Sequence, residues 1–143
     1  MTAAQQVSTT TTGGVLSPEA LAEAIAGYAL DKKAQDVLAL DLCGVSGFTD
    51  GFVICSGTSD RQTKAIHDAI HQGLKKDHGL LPRRVEGLTE ARWILMDYLD
   101  VVVHIFTPET RDFYRLETLW GDVPRRTYAG APEDAARAGE DAA

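Results

Sequence analysis

ARWILMDYLDVVVHIF, residues 91–106, holds two apolar runs without helical period, Arg92–Met96 and Val101–Phe106, separated by Asp97, Tyr98, Leu99 and Asp100. The runs are rich in β-branched, aromatic and long aliphatic residues, and the gap is short enough for a tight antiparallel connection. The stretch predicts a β-hairpin, placed at the centre of a sheet. Just upstream, Arg83-Arg84-Val85-Glu86 is a short, charged strand of the kind found near a sheet edge. Before it, Gly79 and Pro82 close a helix that opens with Ser59 and Gln62 in capping-box spacing and carries Ile66, Ala69, Ile70, Gly73 and Leu74 on one face. Further upstream, the apolar runs Asp36–Cys43 and Phe52–Cys55 are divided by Gly44, Ser46, Gly47, Asp50 and Gly51, as paired strands joined by a loop would be. Ser17-Pro18-Glu19 begins a first helix that runs to about Leu30, with Leu21, Ile25 and Tyr28 at helical spacing. Downstream of the hairpin, Thr107-Pro108-Glu109 repeats that start signal. Phe113, Leu116, Leu119 and Trp120 follow at helical spacing, and Gly121 stands at the C-cap. The order αββαβββα predicts an α/β fold with a mixed sheet of about five strands flanked by helices.

The 143 residues suit one domain. A 44% hydrophobic and 24% charged composition is that of an ordinary globular chain. The net charge is −7 and the isoelectric point about 5.0, which argues against binding nucleic acid by neutralising phosphates. Residues 17–126 alone hold seventeen acids and thirteen bases, so the predicted core is itself acidic. Residues 1–16, MTAAQQVSTTTTGGVL, carry no charge. They read as a disordered leader without the basic and long apolar regions of a secretory signal. Residues 127–143, rich in Ala, Gly, Glu and Asp, read as a disordered acidic tail. No apolar run approaches the roughly 20 residues of a membrane-spanning helix. Cys43 and Cys55, each in an apolar stretch, are expected as buried free thiols in a reducing cytoplasm.

Several residue groups carry chemistry that must be weighed against plainer roles. His67 and His71 are four apart on the second helix, but without the glutamate of a zinc-protease motif or a third ligand at fixed offset. With Lys64, Lys75 and His78 they read as a solvated polar stripe. His104 alternates with Val102 and Phe106 along a strand and reads as a satisfied, half-buried histidine rather than a catalytic one. Ser56-Gly57-Thr58-Ser59 leads into a helix N-terminus that favours anions, yet the capping box explains its residues. Asp97 and Asp100 suit a turn. Tyr98 and Leu99 between them are large for a turn, and with Trp93 they suggest an exposed aromatic and acidic patch, the composition of a protein-docking site.

The ordered motifs LALDL (38–42), TDGFVICSGTSDRQ (49–62), RRVEG (83–87), ARWILMDYLDVVVHIF (91–106) and LETLWGD (116–122) resemble the ribosomal silencing factor family, also called Iojap-like proteins. The resemblance covers residues 17–126. It implies a nucleotidyltransferase-like fold and a non-enzymatic repressor of translation that needs no cofactor or metal. It implies binding to the large ribosomal subunit through the basic universal large-subunit protein fourteen, which blocks joining of the small subunit during starvation or stationary phase. A homodimer in the free state is also implied. An acidic domain is attracted to a basic ribosomal protein and repelled by ribosomal RNA, so the implied mode agrees with the charge. The contacts expected on this basis are Trp93, Asp97, Tyr98 and Asp100, with Asp50 and Glu86 as acidic neighbours. Two positions depart from the family wording: Gly51 stands where a large residue is usual, and Leu99 where glycine often precedes the second acid. The enzymatic alternative, a small nucleotidyltransferase acting on a nucleotide or RNA, calls for a Gly-Ser turn and a D-x-D or D-x-E metal pair on a strand. Here Gly57 is followed by Thr58, and the acid near the right distance, Asp68, falls on the second helix.

Overall fold

The computed structural model describes residues 16–129. Helix α1 (Pro18–Asp31) starts where Ser17 accepts the Ala20 N–H at 3.1 Å, with proline in its first turn, and buries Leu21, Ala22, Ile25, Ala26 and Ala29. Strands β1 (Gln35–Asp41) and β2 (Gly51–Ser56) pair antiparallel across the intervening loop. Helix α2 (Asp60–His78) is capped by Ser59, whose side chain accepts the Gln62 N–H at 3.2 Å. Short strand β3 (Arg84–Glu86) pairs antiparallel with β4 (Trp93–Asp97), and β4 forms the expected hairpin with β5 (Val101–Phe106).

Among the described residues the mixed sheet has six strands in the order β3-β4-β5-β2-β1-β6. The sixth, β6 (Arg125–Ala129), corrects both the expected strand count and the expected domain end at 126. It lies antiparallel on the outer edge of β1, and Tyr128 packs against the core. Backbone pairing to an open edge and one aromatic anchor order this segment despite its lack of aliphatic residues. The rest of the expected tail, 130–143, and residues 1–15 of the expected leader lie outside the described residues.

The hairpin reaches the sheet centre with only one of its strands, β5. That place belongs to the parallel pair β2·β5, in which Val53 faces Val103 and Ile54 faces His104. A parallel pair needs a covered crossover, and α2 supplies it. The predicted last helix is also two pieces, α3 (Pro108–Tyr114) and α4 (Leu116–Leu119), broken at Arg115, whose φ is +47°. Arg111, one turn before the break, is the buried residue of α3.

Alternation along the strands creates two unlike faces. The first carries Val37, Val53, Cys55, Ile94, Met96, Val103 and Ile105 and is roofed by the apolar sides of α1 and α2. Each fully buried aliphatic side chain there contributes about 1.5–3 kcal/mol. Gly73 lets the two helices approach: a β-carbon at that position would lie 2.4 Å from the ring of Tyr28, whose hydroxyl donates to Asp77 at 2.7 Å. The second face carries Leu38, Leu40, Phe52, Ile54, Val102 and Phe106 and is covered by Leu116, Trp120 and Val123 from the shorter elements. On it, Trp93 and Leu95 remain half-buried.

Of the two free cysteines, Cys55 is buried as expected and Cys43 is exposed. Leu42 takes the last inward position of that run, and Cys43 begins the turn, with its N–H bonded to the Asp41 carboxylate at 3.0 Å.

Candidate docking surface

Trp93 begins β4 beside Gly87, whose backbone has φ +85° and whose missing β-carbon would lie 2.0 Å from the Trp93 carbonyl. Only glycine allows this strand end to pack so closely. The Trp93 ring lies 5.0 Å from Phe106 and 4.6 Å from Tyr114, centroid to centroid, and Phe113 meets Tyr114 edge-on at 5.0 Å. Phe113 is 78% exposed and Tyr114 47%. Between α3 and the β3–β4 connection, Trp93, Phe113 and Tyr114 border a groove of about 590 Å³, together with Glu90, Arg92 and Glu109. Glu86 stands exposed on neighbouring β3, opposite Leu95.

The short helices are held on this face by Arg111, 5% exposed. Its Nε donates to Glu117 at 3.0 Å, and Nη1 donates to the Ser56 hydroxyl at 2.8 Å and the Asp36 carbonyl at 2.9 Å. The Asp36 carboxylate lies 3.5 Å from Nη2. Sequence reading missed this network, because an arginine among exposed helix residues carries no pattern that marks it as buried. Burial pushes the Cys55 thiol up to about 12, and the Arg111 charge opposes that rise.

His104 lies between Phe52 and Trp93 and is 4% exposed, deeper than the half-buried state expected. Strand β5 is flanked by β4 and β2, so His104 is shielded on both sides. The Nδ1 atom accepts the Trp93 indole N–H at 3.1 Å, and Nε2 has no partner among the described residues. Burial depresses its pKa to about 3, so the ring is neutral.

The hairpin tip differs from the expected exposed patch. Tyr98 is 4% exposed and belongs to the first face, its hydroxyl without a partner among the described residues; burial pushes its phenol pKa up. The outward residue is Leu99, at φ +76°, and the Asp100 N–H returns to the Tyr98 carbonyl at 2.9 Å in a tight three-residue turn. Asp97 is buried and accepts from the Leu99 N–H at 2.8 Å and from Arg83 at 3.0 Å. Burial raises its pKa, but these two bonds and the Arg83 and Arg84 charges outweigh that and leave it below the usual carboxylate value. The β1–β2 loop joins the tip through Asp50, whose N–H donates to the Asp100 carbonyl at 3.0 Å, and through Thr49, whose hydroxyl bonds to the Leu99 and Asp100 carbonyls. Val45 and Phe48 on that loop are exposed. Of the six expected contacts, Trp93 and Glu86 therefore share one region, and Asp50 and Asp100 share another. Asp97 and Tyr98 are interior. Trp93 and Asp97 stand about 13 Å apart along the strand.

The remaining candidates resolve locally. Gln62 accepts the Thr58 N–H at 2.6 Å, and its amide donates to the Lys32 and Lys33 carbonyls, so the loop before α2 is bonded to its own chain. His67 is buried rather than part of a solvated stripe, because it falls on the same helical arc as Thr63, Ile70 and Leu74. Its Nδ1 meets Asp68 at 2.9 Å and its ring lies 5.7 Å from that of His71. No group of three or more potential metal ligands occurs among the described residues. Nor is any helix among them long and apolar enough to cross a membrane.

Comparison with known proteins agrees with this architecture. A family model described as ribosomal silencing factor during starvation matches residues 16–143. The chain belongs to the ribosomal silencing factor family. The Bacillus subtilis family member is 48% identical over 94 residues, which span 66% of this chain and 79% of that one. A crystal structure of a Chromobacterium violaceum protein superposes with a TM-score of 0.72 at 29% identity, covering 82% of this chain and 97% of that chain. A mouse protein named for mitochondrial assembly of the ribosomal large subunit is 34% identical over 94 residues, 62% of this chain and 40% of that one. In this ribosomal silencing factor family member, the aromatic groove and the hairpin tip are two exposed apolar regions among the described residues.

Proposed function

We propose that the protein represses translation in the cytoplasm by docking on the large ribosomal subunit and excluding the small subunit. The partner is a basic ribosomal protein, the universal large-subunit protein fourteen. The observation that carries this reading is the cluster of half-buried Trp93 with exposed Tyr114 and Phe113 on the less covered face of an acidic domain. Aromatic side chains supply desolvated contact area, and carboxylates around them steer a basic partner. Glu86, Glu90 and Glu109 supply that charge beside the groove, and Asp50 and Asp100 supply it at the tip. Asp97 and Tyr98 act from inside, by setting the shape of the turn. Names of relatives that refer to ribosomal silencing and large-subunit assembly support the large ribosomal subunit as the target. Steric exclusion needs no catalytic group, and the free protein is a homodimer in this reading.

The test is sucrose-gradient sedimentation of mixed bacterial subunits. Native protein should remove the joined-ribosome peak, and the Trp93→Ala, Phe113→Ala double variant should restore it. A joined peak unchanged by saturating native protein would refute silencing. Equal loss with both proteins would move the docking surface elsewhere.

A further inference from the structure

Packing against Phe106 and Tyr114, with ring planes tilted by 30° and 47°, sets the distance of the Trp93 ring from its neighbours, but such apolar contacts are not directional and leave the ring free to slide and rotate at little cost. A directional bond removes that freedom. The only such bond to the indole among the described residues is the 3.1 Å donation from Nε1 to His104 Nδ1. The acceptor is itself immobile, wedged against Phe52 at 4.5 Å and lying nearly parallel to Phe106, with an angle of 12° between the ring planes. Phenylalanine in that place would fill similar space and leave no unpaired nitrogen, whereas Nε2 of His104 is buried without a partner among the described residues. An unpaired buried N–H is unfavourable. What histidine adds in exchange is the acceptor for Trp93, and deep burial keeps that acceptor unprotonated.

We propose that His104 is a positioning residue: by accepting the Trp93 indole N–H it fixes the ring that the docking surface presents to its basic ribosomal partner. The inference rests on the docking reading above. It assigns function to a residue that touches no partner. A hydrogen bond of this kind contributes about 1 kcal/mol, so its loss should weaken binding about fivefold.

The experiment titrates full-length native protein, Trp93→Ala, His104→Phe and His104→Asn against purified bacterial large subunits, and records the indole N–H resonances of the free proteins. Asparagine keeps an acceptor at the δ position and phenylalanine does not. His104→Phe should lose the hydrogen-bonded Trp93 resonance and bind about fivefold more weakly, and His104→Asn should recover most of both. Weakened binding by Trp93→Ala together with native affinity and an unshifted indole in His104→Phe would overturn positioning while leaving docking intact. Native affinity in Trp93→Ala would instead show that the docking surface is misplaced, and the proposal would fall with it. Equal weakening by the Phe and Asn variants with the indole unmoved would assign His104 a packing role only. If His104→Phe fails to fold, the indole resonance and affinity of His104→Asn decide: both near native support the proposal, and an indole shifted as in free tryptophan with native affinity refutes it.

Discussion

The two faces of one sheet are closed by different chemistry. On the first, Ile25, Ile66, Ile70 and Leu74 from two long helices meet Val53, Val103 and Ile105, all fully buried. On the second, two short helices are held by the ion network of Arg111, and the sheet contributes His104, Phe52 and a half-buried Trp93. Apolar packing is non-directional and tolerates repacking, whereas a buried network and a hydrogen-bonded aromatic fix positions. The first face makes the domain stable, and in the proposed docking mode the second holds a surface in one shape for a partner.

The largest expected effect comes from breaking the second face at its anchor. Arg111→Leu leaves the Asp36 and Glu117 carboxylates without their cation and should cost about 3–5 kcal/mol in urea unfolding. It should also impair large-subunit binding, since α3 carries Phe113 and Tyr114. Ile70→Ala, on the first face, should cost about 3 kcal/mol while the folded fraction binds with native affinity. Impaired binding by both variants at matched folded fraction would erase the distinction between the faces.

A smaller effect separates the faces by pH. His104 is neutral in the fold until about pH 3, while in the unfolded chain it takes up a proton below about 6.5. Its folded pKa is depressed, so the unfolded state binds the extra proton. The stability it contributes is complete above about pH 6.5 and falls as the pH drops toward 3, by roughly 1.4 kcal/mol per unit. Between pH 7.5 and 5 the native protein should therefore lose roughly 2 kcal/mol that His104→Phe does not lose. Parallel pH profiles in denaturant melts would contradict this.

Periodicity and punctuation made most of the fold legible: Ser17-Pro18, Ser59 with Gln62, and the runs around Asp97–Asp100 each became the element they suggested. What escaped depended on long-range partners. β6 is ordered by the open edge of β1, and Arg111 is buried by its bonds to Asp36, Ser56 and Glu117, neither of which is visible in a local window. At the site, Trp93 could be singled out because a tryptophan on a short strand stands out. Phe113 read only as a helix position, and nothing in the pattern marked Tyr114. Tyr98 illustrates the converse: a large residue in a turn looked exposed, but the tight turn at Leu99 sends it inward.

Hydrogen–deuterium exchange of the protein bound to large ribosomal subunits tests the division of labour most directly. Docking through the second face predicts slowed exchange across residues 84–97 and 108–119, with the exposed side of α2 unchanged. Protection confined to α1 and α2, with α3 and α4 exchanging as in the free protein, would contradict it.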